Sequence, residues 1–226
     1  MDSNNIQWFP GHMTRAKRKI KDILKLLDIA VEVVDARVPM SSRNPEFKDI
    51  VGNKPHMVLL NKCDMADASE TKRWIEYYNS QGIKALAIDC KSGKGVSKIF
   101  SCVKLVLGEK IKEWKQKGMG HKCIRMMIIG IPNVGKSTII NRLIPNAKTK
   151  AKAEDRPGVT RGNQWFTLDN GFEILDTPGI LWPKFQDREV GLHLAFIGAI
   201  KDQVMDIEEL AVELIKFLMS SYKEKF

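Results

Sequence analysis

Apolar residues along the chain gather in short β-rich runs separated by stretches of helical period. The runs are AVEVV at 30–34, HMVLL at 56–60, ALAI at 85–88, RMMII at 125–129, QWFTL at 164–168 and FEIL at 172–175. Between most of them, at 12–27, 69–79, 94–107 and 136–143, apolar positions recur three and four apart, the period of a helix that buries one face. Strands alternating with helices predict a mostly parallel, doubly wound α/β sheet with helices on both faces. In the first helical stretch Ile20, Ile23, Leu24 and Leu27 form the apolar stripe. Arg15, Lys17, Arg18, Lys19, Lys21 and Lys25, against the single acid Asp22, give it a basic outer face. From Lys201 to Phe226 the residues Ile207, Leu210, Ala211, Leu214, Ile215 and Leu218 keep helical spacing, so one further helix is expected, with an apolar face that needs a cover.

Composition leaves this picture intact. The 226 residues are 43% apolar and 28% charged, which excludes a disordered or collagen-like chain. No apolar run approaches the ~18 residues of a membrane helix; the longest, Leu192 to Ile200, is broken by His193 and Gly198. The opening MDSNNIQWFP lacks the apolar core of a secretory signal. A cytoplasmic protein without a membrane partner is expected, and a monomer. Cys63, Cys90, Cys102 and Cys123 show neither CxxC nor zinc-ligand spacing and read as reduced thiols. Charge adds more. With 37 Lys+Arg against 27 Asp+Glu the net charge is +10, and it is clustered. Beyond residues 15–25 a second group runs from Lys104 to Arg125 and reads as a helix followed by a linker around 108–123. A third comprises Lys148, Lys150, Lys152, Arg156 and Arg161. Each alone is an ordinary solvated face; three together favour RNA, because phosphate neutralisation is additive.

The chemistry is carried by four motifs. GIPNVGKS at 130–137 lies between the run RMMII and the helical STIINRL, the strand–loop–helix setting of a phosphate-binding loop. Gly130 and Gly135 let successive N–H groups of Asn133, Val134, Gly135, Lys136, Ser137 and Thr138 face phosphates. Lys136 is expected at the β- and γ-phosphates and the Ser137 hydroxyl on Mg²⁺. Asn61-Lys62-Cys63-Asp64 follows HMVLL, and the Asp64 carboxylate can accept from both N1–H and the 2-amino group of guanine. Adenine would leave that carboxylate unpaired. Asp89-Cys90-Lys91 follows ALAI and resembles the second base loop of GTPases, with backbone contact to guanine O6 from Cys90 and Lys91. Asp176-Thr177-Pro178-Gly179 ends FEIL. There Asp176 would hold Mg²⁺ through water, and Pro178 and Gly179 would meet the γ-phosphate. Thr160, in PGVT, is the candidate switch threonine for Mg²⁺ and γ-phosphate.

The order of these motifs is rotated. GTPases ordinarily place the phosphate loop first and the base loops last, whereas here the base loops precede it. A circular permutation of the P-loop GTPase domain accounts for this, and it is tolerable because the termini of compact domains often lie close together. With WFPGHM at 8–13, VDARVP at 34–39 and DTPGILWP at 176–183, the chain resembles the YlqF/RbgA family of bacterial ribosome-assembly GTPases over residues 6 to about 205. The resemblance implies GTP hydrolysis during late maturation of the large (50S) ribosomal subunit, with rRNA as partner. It divides the chain into a permuted GTPase domain at 1–200 and, at 201–226, the start of a truncated or reduced C-terminal helical domain.

Where many GTPases carry a water-orienting Gln after DxxG, this chain has Ile180, so slow intrinsic hydrolysis is expected. The resemblance offers His12 as the group that completes the site on the ribosome, and a neutral imidazole can orient water. Asn133 is a candidate K⁺ ligand, because GTPases with Asn at this position often bind K⁺ there. Arg156 and Arg161 are weaker candidates as arginines acting in cis. His56, His121 and His193 are expected to be structural, and Trp165 and Trp182 to be packing residues. The competing readings are a P-loop kinase, against which DTPG and NKCD argue, and a GTP-dependent RNA-binding module with little turnover.

Overall fold

The structure is a computed structural model and describes residues 23–45, 47–144, 164–176, 187–200 and 206–222. Strands β1 (Ile29–Asp35), β2 (His56–Asn61), β3 (Lys84–Ala87), β4 (Ile124–Ile129), β5 (Gln164–Leu168) and β6 (Phe172–Asp176) form one sheet in the order β3-β2-β1-β4-β6-β5. All neighbours are parallel except the edge strand β5, which runs antiparallel to β6. The first strand, β1, lies inside the sheet; from it the chain moves outward to β3, then returns to lay β4 on the other side of β1. Leaving the C-terminal ends of β1 and β4, it turns in opposite directions, and such a switch point is where an open α/β sheet opens a ligand crevice.

Seven helices are present among the described residues: α1 (Phe47–Val51), α2 (Ala68–Ser80), α3 (Ile99–Val106), α4 (Gly108–Gln116), α5 (Lys136–Leu143), α6 (Arg188–Phe196) and α7 (Ile207–Ser221). Alternation along the strands sends side chains to two cores. Ile29, Val31 and Val33 of β1, with Met126 and Ile128 of β4, pack against Ile99 and Val103 of α3, Trp114 of α4 and Ile139 and Ile140 of α5. On the other face Ala30, Met127 and Ile129 meet Leu24, Leu27 and Phe47, while Val34, Val58 and Leu60 meet Tyr78 of α2. Every residue of β1 is buried; at ~1.5–3 kcal/mol per fully buried aliphatic side chain, this central strand is the anchor of the fold.

All six expected strands form, with ends shifted by no more than one residue. The expected helix at 12–27 lies largely outside the described residues; Leu24 and Leu27, its last apolar positions, are buried. The reading of 108–123 as a linker is corrected: Gly108–Gln116 is helix α4. Leu107, Ile111 and Trp114 continue the helical stripe of α3, and the surrounding lysines hid that period. Helix α6 was concealed differently, its apolar residues from Leu192 reading as an unpatterned run. Its start is capped by the Asp187 carboxylate, which accepts from the Glu189 N–H at 2.8 Å. Helix α7 occupies the middle of the expected tail helix and leans on α6, with Phe217 5.3 Å from the His193 ring and 6.2 Å from Phe196. Its Ile207 and Ile215 stay exposed. Trp165 departs from its expected packing role, since it is 42% exposed and lies under the Arg125 guanidinium at 5.8 Å. Trp182 lies outside the described residues. All four cysteines are free thiols, and no described helix is long and apolar enough to cross a membrane.

Candidate nucleotide site

Three loops converge at the C-terminal ends of β4, β2 and β3. The phosphate loop leaves β4 at Gly130, where a Cβ would stand 2.5 Å from the Val33 carbonyl oxygen of β1. It enters α5 at Gly135, whose φ is +98° and where an added Cβ would collide with Asn61 Nδ2, leaving no room for a side chain. Both glycines are therefore required by the close approach of neighbouring strand residues, and Gly135 also by its left-handed backbone. Beyond Gly135 the first N–H groups of α5 have no partner within the helix, so Lys136, Ser137 and Thr138 point a donor-rich helix end at the crevice. The Lys136 side chain is buried, and its ammonium donates to the Ile131 carbonyl at 2.8 Å, which arches the loop over it. Ser137 is half-buried and Thr138 exposed.

Asn61 joins all three loops. Its amide nitrogen donates to the Val134 carbonyl of the phosphate loop at 2.7 Å and lies 3.2 Å from Cys90 Sγ. Its amide oxygen accepts from the Cys90 N–H at 3.1 Å. Fully buried, it acts as a latch between loops. Lys62 takes a left-handed backbone conformation with φ +61° and sends its ammonium to the Asn133 carbonyl at 2.9 Å. The same ammonium pairs with Asp35 Oδ2 at 3.0 Å. Asp64, in the short 3-10 turn Cys63–Met65, presents an exposed carboxylate at the rim.

The second base loop is held differently from the sequence expectation. The N–H groups of Cys90 and Lys91, assigned to guanine O6, donate instead to Asn61 Oδ1 at 3.1 Å and Asp89 Oδ1 at 2.7 Å. Asp89 closes a tight side-chain turn. The Ser92 hydroxyl, with the backbone N–H groups of Lys91 and Ser92, holds its carboxyl below the ordinary carboxylate value. On the outer side Arg142 of α5 donates to the carbonyls of both Cys90, at 3.0 Å, and Lys91. Burial pushes the Cys90 thiol up, against a smaller opposing effect of its hydrogen bond from Asn61, so this sulfur is an inert packing group.

Asp35 and Arg37, which the sequence reading left without a role, complete the frame. Asp35, at the end of β1 and fully buried, accepts from Arg37 Nε at 2.9 Å and Nη2 at 2.7 Å as well as pairing with Lys62. Burial alone would raise its pKa, but the Arg37 hydrogen bonds and the Lys62 and Arg37 charges outweigh that and hold it below the ordinary value. The signal was present in VDARVP, an acid at the end of an apolar strand followed two residues on by Arg. Asn133, with φ +62°, donates its amide to the Gly198 carbonyl at 2.9 Å, and Ser41 Oγ stands 2.9 Å from His193 Nδ1. The phosphate loop and the loop after β1 are thereby both tied to the α6 segment. His12, Thr160, Pro178 and Gly179 lie outside the described residues, as do Arg156 and Arg161. Of Asp176 the backbone is placed, ending β6 beside Ile128 of β4.

Comparison with known proteins agrees with this geometry. Residues 125–224 match a family described as 50S ribosome-binding GTPase. Ribosome biogenesis GTPase A of Priestia megaterium is 54% identical over 221 residues, covering 97% of this chain and 76% of the relative. The Bacillus licheniformis protein of the same name is 52% identical, covering 97% of this chain and 77% of the relative. Among solved structures, GNP-bound YlqF from Thermotoga maritima superposes with a TM-score of 0.63 at 30% identity, covering 94% of this chain and 80% of that one. The rotated motif order, the sheet order and this sequence identity together make the chain a circularly permuted, GTP-hydrolysing enzyme that belongs to the ribosome biogenesis GTPase A (YlqF/RbgA) family.

Proposed function

We propose that this GTPase serves ribosome assembly by timing a late step in maturation of the large subunit, with hydrolysis stimulated by the subunit and by K⁺. The observation that carries the reading is the Asn61 latch, which binds phosphate loop and base loops into one unit. Discrimination of guanine falls to the Asp64 carboxylate, while Asn61, Lys62, Cys90 and Lys91 form the wall behind the base. The N–H groups from Asn133 through Thr138 take the phosphates. Lys136 exchanges the Ile131 carbonyl for the β- and γ-phosphates. A half-buried hydroxyl at the first turn of α5 fits a magnesium ion held mainly by phosphate oxygens, so Ser137, with Thr160 and Asp176, is assigned to it. That ion would neutralise charge developing on the phosphates. Pro178 and Gly179 sense the γ-phosphate, and His12 orients water in place of the missing Gln. Asn133 is assigned to K⁺ through its side-chain oxygen, with its amide nitrogen held by the Gly198 carbonyl.

Residues 1–200 act as the GTPase domain and 201–226 open a C-terminal helical segment; the protein works as a cytoplasmic monomer on rRNA. GTP turnover in KCl and in NaCl, with and without purified large subunits, tests the reading. Strong stimulation by subunits, larger in KCl and lost in His12→Ala without loss of GDP affinity, is expected. Turnover that stays basal with subunits bound would favour a GTP-dependent RNA-binding module, the reading that Ile180 supports.

A further inference from the structure

The end of the sheet opposite the nucleotide crevice carries an ordered set of cations. Asp28, 4% exposed, precedes β1. Its Oδ1 is 2.9 Å from the Lys110 ammonium and 3.6 Å from that of Lys122, and its Oδ2 accepts from the Arg125 N–H at 3.0 Å. Both ammonium groups lie over the Trp114 ring of α4, at 5.3 and 4.2 Å from its centroid. Beside them the Lys54 ammonium donates to the Leu27 carbonyl at 2.6 Å. Burial and then the charge of Lys110 pull the Lys54 pKa down, with Lys122 adding to this and Asp28 opposing it. The Arg125 guanidinium continues the set outward, 2.6 Å from Glu173 and above the half-exposed Trp165.

Four cations thus face two carboxylates, a surplus of two positive charges fixed in place by ion pairs and an indole. Asp28 and Arg125 stand at the N-terminal ends of β1 and β4, and Lys54 just before β2, whereas the nucleotide loops leave the C-terminal ends. Strands of this length, at ~3.3 Å per residue, separate the two ends by about 20 Å. A polyanion can occupy this face while nucleotide occupies the other.

We infer that this rear face is an RNA-docking surface, with backbone phosphates on Lys54, Lys110 and Lys122 and an unpaired base stacked on Trp165 beside Arg125. The inference rests on the ribosomal reading above and names the surface that would serve it. A fluid lipid surface rewards positive charge wherever it stands. Here two carboxylates and an indole hold the cations at set positions next to an accessible aromatic plane, the combination that single-stranded RNA rewards.

Lys122→Gln leaves Asp28 paired with Lys110, and Trp165→Ala alters a half-exposed residue, so the fold is expected to survive both, which melting temperature checks. Binding of wild type, each variant and the double variant is measured against purified large ribosomal subunits. The same proteins are titrated with a labelled single-stranded RNA of about 20 nucleotides and with phosphatidylglycerol vesicles, over a range of KCl. The double variant is expected to lose about tenfold in affinity for RNA and for subunits, and its salt slope to shrink by ~0.7–0.9 for each phosphate no longer neutralised. Turnover of GTP without ribosomal particles is expected to be unchanged. Equal affinities and slopes in all four proteins, with wild type binding subunits, would overturn the surface and leave the ribosomal reading standing. Wild type that binds the RNA through Lys122 and Trp165 but ignores subunits would overturn that reading and keep the surface. Lys122-dependent binding of vesicles without binding of RNA overturns the RNA assignment.

Discussion

Glu32 sits in the middle of β1 with 1% exposure, its Oε2 accepting from Arg43 Nε at 2.9 Å and its Oε1 buried with no hydrogen-bond partner among the described residues. Burial raises its pKa to about 7, the Arg43 charge and hydrogen bond opposing that rise without cancelling it. Between pH ~4.5 and ~7 the folded protein therefore holds a proton that the unfolded chain has released, and stability falls as pH rises through this window. A rise of about 2.5 units at ~1.4 kcal/mol each puts the full loss at about 3.5 kcal/mol, about 2.5 kcal/mol of it between about pH 5 and pH 8. Glu32→Gln keeps the shape and an acceptor for Arg43 but cannot ionise. Urea unfolding of wild type and variant, followed by tryptophan fluorescence across that range, isolates the effect. His56 is pushed below its ordinary value chiefly by burial and contributes a slope of opposite sign, but it does so in both proteins and cancels in the comparison. Wild type is expected to lose 2–3 kcal/mol more than the variant on going from about pH 5 to about pH 8. Parallel stability curves would refute the reasoning, since they would mean that Arg43 keeps Glu32 ionised throughout.

Other perturbations test the nucleotide site itself. Asp64→Asn offers an amide donor where guanine's 2-amino group needs an acceptor; GDP affinity is expected to fall at least tenfold while affinity for xanthosine diphosphate, which has a 2-carbonyl, rises, as competition binding would show. Gly135→Ala places a methyl on Asn61 Nδ2 at a φ of +98°, so a loss of about 1–3 kcal/mol of stability together with nucleotide binding is expected in calorimetry. Asp35→Asn leaves Arg37 and Lys62 facing an uncharged amide, and about 3–5 kcal/mol is expected to be lost in urea unfolding near neutral pH. Because the folded pKa of Asp35 lies below its ordinary value, wild type should keep this contribution above the usual carboxylate range and lose it only in stronger acid. Arg142→Ala frees the carbonyls of Cys90 and Lys91; GDP dissociation measured by stopped flow is expected to accelerate several-fold with little change in melting temperature.

Much of this protein was legible from the chain alone, because the relevant physics is local. A buried parallel strand must be an apolar run, so the five parallel strands could be counted. A phosphate loop must combine glycines with a lysine at fixed spacing between strand and helix, so 130–137 could be located. The rotated order of motifs implied a circular permutation of the P-loop GTPase domain. What was misread locally was misread through charge, as lysines at every second or third position of 108–117 masked the stripe that buries Trp114. Tertiary structure decided the rest, because those contacts join residues far apart in sequence. Asn61 reaches Val134 across 73 positions and Lys62 reaches Asn133 across 71, and these bonds bind the loop after β2 to the phosphate loop. Asp35 became part of the site only once β1 placed its carboxylate under Lys62. Asp28 became the hub of the rear cations only when α4 and β4 brought Lys110, Lys122 and Arg125 to it. Period and motif determine which residues can form an element or grip a phosphate; which neighbour each buried polar group must satisfy is settled only when the sheet brings distant loops together.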